Sequence, residues 1–360
     1  RTYLLENAVT RSFSVNDVSR TWYNIASSYA LYLNFTDEAQ QCVNQISELK
    51  GVVGSEFVAK LMRLKLPFIT QLKQLNQSKN AIAKAVKISQ ALNRELNKKI
   101  IGQVKAVNHL SNGYLSSSLV LPDGPRLIYT FAGPSGVGKT YLGSSFCELL
   151  NQHEQSGYAF TEFNMEQYSH EKDAMKLFGT GVQYTDASLG TLTSKVRACP
   201  RHILLFDEIE KAHNTVIQTL LGMLDKGIAQ DQTSQELISF KQCIVIFTSN
   251  LGQDVLAKNT QGHALNVFDV LRQTANPSSG TKLSFEFINR LAKGYSVLFS
   301  PLRANHYLHI AEQAVKQSAR TNHNVTFNWP MRFSSFLVRA LAPEISARQL
   351  GTILSKIKAD

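Results

Sequence analysis

Gly133, Gly138, Lys139 and Thr140 stand at the spacing of a phosphate-binding loop, written here Gly133-Pro134-Ser135-Gly136-Val137-Gly138-Lys139-Thr140. Glycines let the backbone curl until several N–H groups point at one anion. A helix N-terminus behind them adds the positive end of its dipole. A lysine at this place reaches the β- and γ-phosphates of a nucleotide, and the threonine hydroxyl holds Mg²⁺. The pattern carries that meaning only between a strand and a helix. Leu127–Phe131 is a β-branched and aromatic run that reads as a buried strand, and Tyr141–Leu150 reads as a helix. ATP with Mg²⁺ is therefore the expected ligand.

A second half of the site lies downstream. His202-Ile-Leu-Leu-Phe-Asp-Glu is an apolar strand that ends in two acids, Asp207 and Glu208. Asp207 is expected to hold Mg²⁺, and Glu208 to polarise the attacking water. Cys243-Ile-Val-Ile-Phe-Thr-Ser-Asn is a further buried strand with a polar end. Strand ends on one edge of a parallel sheet converge on the ligand, so Asn250 is expected to orient the water or touch the γ-phosphate.

The elements that must carry these groups alternate. Candidate strands at Leu127–Phe131, Ala159–Asn164, His202–Phe206, Ile244–Thr248 and Tyr295–Phe299 have helices between them. That is the pattern of an α/β fold with a doubly wound, mostly parallel sheet. Three segments are expected: a helical N-terminal region over 1–90, a large α/β nucleotide-binding domain over 91–300, and a small helical lid over 301–360, with Pro301 at the boundary. In the first, Trp22, Ile25, Ala26, Tyr29 and Leu33, and then Phe57, Leu61, Leu64, Phe68, Leu72 and Leu75, recur at helical spacing.

The chain has 360 residues, 43% of them hydrophobic, and a formal net charge of +11. Its location says more than its size. Between Lys60 and Lys105 there are eleven lysines and arginines against a single acid, Glu95. This basic helical stretch reads as a solvated face or as a contact for an acidic partner, nucleic acid or anionic lipid; no RNA- or DNA-module signature accompanies it. No apolar run reaches the length of a membrane span. Cys42, Cys147, Cys199 and Cys243 are scattered without metal spacing, which favours reduced cysteines and a cytoplasmic setting. The first residue is Arg1, without Met or a signal-peptide pattern, so the chain reads as part of a longer protein.

Five segments resemble an AAA+ ATPase, and more closely the second ATPase domain of the ClpA/ClpB-type remodelling chaperones. They are Gly133–Thr140; Leu205-Phe-Asp-Glu-Ile-Glu-Lys-Ala-His213; Thr248-Ser-Asn-Leu-Gly252; Phe285-Glu-Phe-Ile-Asn-Arg-Leu291; and Ser346-Ala-Arg-Gln-Leu350. Lys99-Ile100-Ile101-Gly-Gln103 is similar to the lead-in motif whose apolar residues flank the adenine. The resemblance runs from about residue 92 to 358 in the family's order.

It implies further roles. Arg290 matches the arginine finger that reaches the γ-phosphate of the neighbouring subunit, and Arg348 the lid arginine that senses nucleotide within its own subunit. A finger donated in trans implies a ring, usually a hexamer, acting on a protein client. The stretch Phe178-Gly-Thr-Gly-Val-Gln-Tyr184 stands where the family has its substrate-gripping loop, but one residue shorter, so Val182 or Tyr184 takes the gripping place. The resemblance thus implies an ATP-hydrolysing ring that remodels proteins. Two other readings stand beside it: a motor or loader on nucleic acid working through residues 60–105, and a nucleotide-dependent scaffold with low turnover.

Overall fold

The computed structural model describes residues 79–118, 123–154, 157–181, 187–253, 267–275, 280, 282–319 and 332–341. The helices expected over residues 1–78, the loop residues Val182 and Tyr184, and the lid residue Arg348 lie outside these. The chain forms two compact units, Arg1–Lys87 and Ile88–Asp360. The second carries the sheet and the phosphate loop, and a long helix leads into it.

That helix, α1 (Lys79–Lys99), buries Ile88, Leu92 and Leu96 on one stripe and exposes Lys84, Lys87, Arg94 and Lys98 on another. After α2 (Val104–Ser117) come β1 (Leu127–Ala132), α3 (Lys139–Glu154), β2 (Ala159–Asn164), the short α4 (Ala174–Phe178), α5 (Thr191–Ala198) and β3 (His202–Asp207). Then come α6 (Asn214–Lys226), the hairpin β4 (Ile228–Gln230) and β5 (Leu237–Ser239), β6 (Ile244–Ser249), α7 (Val267–Gln273), α8 (Phe285–Leu291) and β7 (Tyr295–Leu298). Two helices, α9 (Ala304–Ala319) and α10 (Phe333–Leu341), pack on each other around Ala311 and Leu337.

Five strands form one parallel sheet in the order β2-β3-β6-β1-β7. β1, β3 and β6 are the continuous apolar runs, and they sit inside, where both faces are covered. The two-residue period of a strand divides their side chains between two cores. Ile203, Leu205, Ile244, Ile246, Tyr129 and Phe131 face a core with α1, α2 and α3. Leu204, Phe206, Val245, Phe247 and Ile128 face the other core, built with α6, α7 and α8. On this second face Phe163 stacks on Phe206 at 5.3 Å and Phe206 on Phe247 at 5.1 Å. Phe287 of α8 closes the row, edge-on to Phe247 at 5.4 Å.

The β4–β5 turn is organised by a buried acid, Asp231, whose carboxylate accepts from the amides of Gly190 (3.0 Å), Thr233 (3.1 Å) and Ser234 (2.9 Å) and from the Thr193 hydroxyl. Thr233 Oγ1 donates to the Ser188 carbonyl at 2.7 Å and accepts from the Thr180 amide at 3.1 Å. Both ends of the 180–188 segment are therefore tied to this hairpin.

Candidate nucleotide site

The C-terminal ends of β1, β3 and β6 lie side by side and deliver Gly133, Asp207 and Asn250 to one place. The turn leaving β1 needs glycine. Gly133 has φ +148, and a side chain there would meet the Phe299 carbonyl at 2.6 Å. Gly136 and Gly138 also have positive φ (73° and 95°). A Cβ on Gly138 would point into open space, so the curl of the loop leaves a hollow just ahead of α3.

Lys139 opens α3 and turns its side chain back into the loop. It is 7% exposed. Nζ donates to the carbonyls of Gly133 (2.7 Å) and Pro134 (2.8 Å) and to Asn250 Oδ1 (2.6 Å). All three partners are neutral oxygens. Burial pulls the ammonium down to about 8, against the opposing pull of Glu210, Asp207 and Glu208. A buried lysine held by neutral acceptors beside a glycine hollow fits a polyphosphate, whose negative charge would offset the cost of burial.

The acids sit across from it. Asp207 Oδ1 accepts from Thr248 Oγ1 at 2.7 Å and from Thr140 Oγ1 at 3.3 Å. Thr248 Oγ1 in turn accepts from the Glu208 amide at 2.9 Å. Glu208 is left-handed, with φ 55 and ψ 56, and is one of the few non-glycine residues there. Such a conformation costs about 1–3 kcal/mol and gathers at functional sites.

The Glu208 carboxylate is held at both oxygens: Oε1 accepts from Asn250 Nδ2 at 2.7 Å and Oε2 from Lys211 Nζ at 2.7 Å. Burial alone would push this carboxyl up. Lys211, Asn250 and Lys139 outweigh burial and hold it below the ordinary glutamate range. Lys211 also reaches Glu166 Oε1 at 3.4 Å. Beside it, burial pushes the Glu210 carboxyl up while its Oε1 accepts the Asn250 amide at 2.9 Å. Asn250 thus joins Lys139 to Glu208, its amide oxygen toward the cation and its amide nitrogen toward the carboxylate.

Gly133–Thr140, Asp207, Glu208 and Asn250 are therefore brought together. Ile100, buried, and Ile101, half-buried, lie just before α2. This segment is fixed by Gln103, which donates to the Ser300 carbonyl (2.8 Å) and accepts from the Ser300 amide (3.0 Å). Arg290 pairs elsewhere, with Asp225 and Glu286. Thr248, Lys211 and Glu210 do not stand out from the sequence. Each lies inside one of the motif segments; Thr248 and Glu210 find their partners only where strands converge, while Lys211 pairs locally with Glu208 three residues before it.

A family profile described as "AAA domain (Cdc48 subfamily)" matches residues 125–293. The chain is 29% identical over 331 residues to a probable ATP-dependent Clp protease ATP-binding subunit of Chlamydia pneumoniae, covering 89% of this chain and 38% of that one. It is 33% identical over 214 residues to the chaperone protein ClpB of Clostridium tetani, covering 59% of this chain and 24% of that one. The chain thus spans well under half the length of these relatives. An S. cerevisiae Hsp104:casein complex in its extended conformation superposes with TM-score 0.61 and 28% identity, over 74% of this chain and 46% of that one. A closed-state reconstruction of Hsp104 with ATPγS and FITC casein has the same fold, with TM-score 0.62, 24% identity, and 92% and 57% coverage. With the parallel sheet and the phosphate loop at its strand ends, these likenesses identify the chain as a member of the nucleotide-binding AAA+ ATPases, of the Clp/Hsp100 type.

Proposed function

We propose that the chain hydrolyses ATP with Mg²⁺ at this site and acts, as a ring of subunits, to remodel proteins. The observation that carries the reading is the chain of contacts Lys139–Asn250–Glu208 at three adjoining strand ends. In this reading the amides of 133–140 and Lys139 bind the phosphates. Thr140 and Asp207 are the residues that would hold Mg²⁺. Among the described residues no group of three or more His, Cys, Asp or Glu could hold a metal. Shared ligation with the substrate is the usual arrangement for Mg²⁺ on a nucleotide. Bound there, Mg²⁺ would supply charge neutralisation for the triphosphate.

Glu208 activates the water. It must first leave one of its two partners, since a carboxylate engaged by Lys211 and Asn250 is a weakened base. Asn250 is suited to that exchange because it already touches both the lysine and the carboxylate. Ile100 and Ile101 flank the adenine, Arg290 completes the neighbouring subunit's site, and Arg348 senses nucleotide from the lid. Val182 or Tyr184 grips the client. We divide the chain into a helical region over 1–90, the nucleotide-binding domain over 91–300 and the lid over 301–360. The cytoplasm suits its cysteines, of which Cys147, Cys199 and Cys243 are free.

Remodelling of proteins is favoured by the relatives' names, which speak of chaperones and a protease subunit, and by the casein in the Hsp104 complexes. They lend no support to a motor on nucleic acid. The test is release or unfolding of a labelled client protein. ATP turnover without any effect on the client refutes remodelling but leaves the ATPase standing.

A further inference from the structure

Arg290 is held at two edges of its guanidinium. Nε donates to Asp225 Oδ2 at 3.0 Å, and Nη2 lies 3.0 Å from Glu286 Oε1. The second Asp225 oxygen accepts from Lys293 Nζ at 2.8 Å. The quartet Asp225, Glu286, Arg290 and Lys293 is thus electrically balanced, so neither acid presents a bare charge beside the arginine.

Asp225 stands on a rigid mount. It lies in the last turn of α6, which Gly227 closes in a left-handed cap with its amide on the Met223 carbonyl at 3.0 Å. Gly124 packs so tightly on the Leu224 carbonyl that a Cβ would come within 2.3 Å of it. Arg290 itself rides on α8, whose first residue, Phe285, is 68% exposed.

An ion pair this open to water contributes at most about 1 kcal/mol to stability; the side chains of Arg290 and Asp225 are 24% and 29% exposed. Its value lies in order. An unbound arginine side chain carries about 2 kcal/mol of rotamer entropy, and a guanidinium that must meet a transferring phosphoryl group gains by having its plane set in advance.

We infer that Asp225, with Glu286 as its second hold, is the positioning residue that aims Arg290 at the nucleotide of the adjoining subunit. This rests on the proposed reading of Arg290 as a finger acting in trans. Asp225 touches Arg290 through the Nε edge, and Nη1 keeps only a 3.3 Å contact with the Glu286 carbonyl. Nη1 is thus the most loosely held of the three nitrogens. The lowered carboxyl of Asp225, held down by Lys293 against burial and further by Arg290, keeps the hold charged at neutral pH.

The test uses the full chain carrying Asp225→Asn, which keeps the shape and removes the charge. Turnover at saturating ATP should fall roughly tenfold or more, while KM for ATP and the melting temperature stay as in the unchanged protein. Asp225→Glu should restore part of the loss. The decisive measurement mixes subunits. Lys139→Ala has a disabled cradle and an intact finger, so mixing it with Asp225→Asn should give more ATPase than the two proteins assayed apart. Arg290→Ala mixed with Lys139→Ala is the reference. If that pair does not complement, the trans reading of Arg290 falls. If it complements and Asp225→Asn does not, or if Asp225→Asn turns over normally, the positioning role of Asp225 is overturned.

Discussion

Asn250 Oδ1 lies 2.6 Å from the Lys139 ammonium and Nδ2 lies 2.7 Å from the Glu208 carboxylate. One amide thus couples the proposed phosphate-binding cation to the proposed base. Glu208→Gln keeps that amide contact and the fold but lacks a base. It should bind ATP as tightly as before in an equilibrium titration, with turnover lower by about 10²–10⁴-fold. Undiminished turnover would remove Glu208 from its role.

The cysteines give a second residue-scale expectation. Burial pushes the Cys147 thiol up to about 11 and the Cys243 thiol up to about 12, whereas Cys199 is half-exposed. At pH 8 a thiol pushed to 11 is only about one part in a thousand thiolate. Among these three, alkylation followed by peptide mass mapping should therefore find Cys199 modified first, with Cys147 and Cys243 modified only on unfolding.

The cradle residues are legible because four fixed letters sit in a local strand–loop–helix context. Thr248 and Asp225 are not, because their partners are set by packing. Thr248 and Asp207 are 41 positions apart, and Asp225 and Arg290 are 65 apart.

At the scale of elements, the central strands announce themselves. The apolar runs place strands at His202–Phe206 and Ile244–Thr248, and β3 and β6 occupy His202–Asp207 and Ile244–Ser249. They are covered on both faces, so their apolar runs are unbroken. The helix expected over Tyr141–Leu150 begins earlier, at Lys139, and ends at Glu154, since helix ends obey caps rather than apolar periodicity.

The hairpin β4–β5 leaves no such mark. Each strand has only three residues, too few for a period to show, and what holds the turn is the buried Asp231 with its four donors. Replacing Asp231 by Ala strands those donors and should cost about 1–3 kcal/mol in urea unfolding. Burial alone would raise this carboxyl. The Thr193 hydroxyl and the amides of Ser234, Gly190 and Thr233 prevail and lower it. A carboxyl lowered on folding gives stability that is present above its unfolded value and lost as pH falls through its folded one. The unaltered protein should accordingly lose this contribution in acid, below about pH 4, whereas Asp231→Ala should show a shallower acid loss. Equal slopes for the two proteins would contradict the assignment.

For the whole molecule, the proposed reading makes the site within one chain half of what hydrolysis requires. Cradle, acids and Asn250 cluster at one sheet edge, while Arg290 pairs with Asp225 and Glu286 on α6 and α8. Sedimentation should show subunits assembling when ATP is added to Glu208→Gln, whose turnover is blocked. Arg290→Ala should assemble but lose turnover by about three powers of ten or more. Arg290→Ala with near-normal turnover would argue that each subunit works alone.

The phenyl row from Phe163 through Phe206 and Phe247 to Phe287 runs beneath the strand ends and stops on the helix that bears Arg290. Rings already in contact have no backlash: interiors packed to this density resist compression and hand strain onward. A shift of β3 or β6 on binding of the proposed nucleotide would have in this row a packed route to α8, like a push along a rod. In the proposed ring, Phe247→Leu should leave ATP binding intact in an equilibrium titration but flatten the dependence of turnover on ATP concentration, and an unchanged slope would free the row of that part.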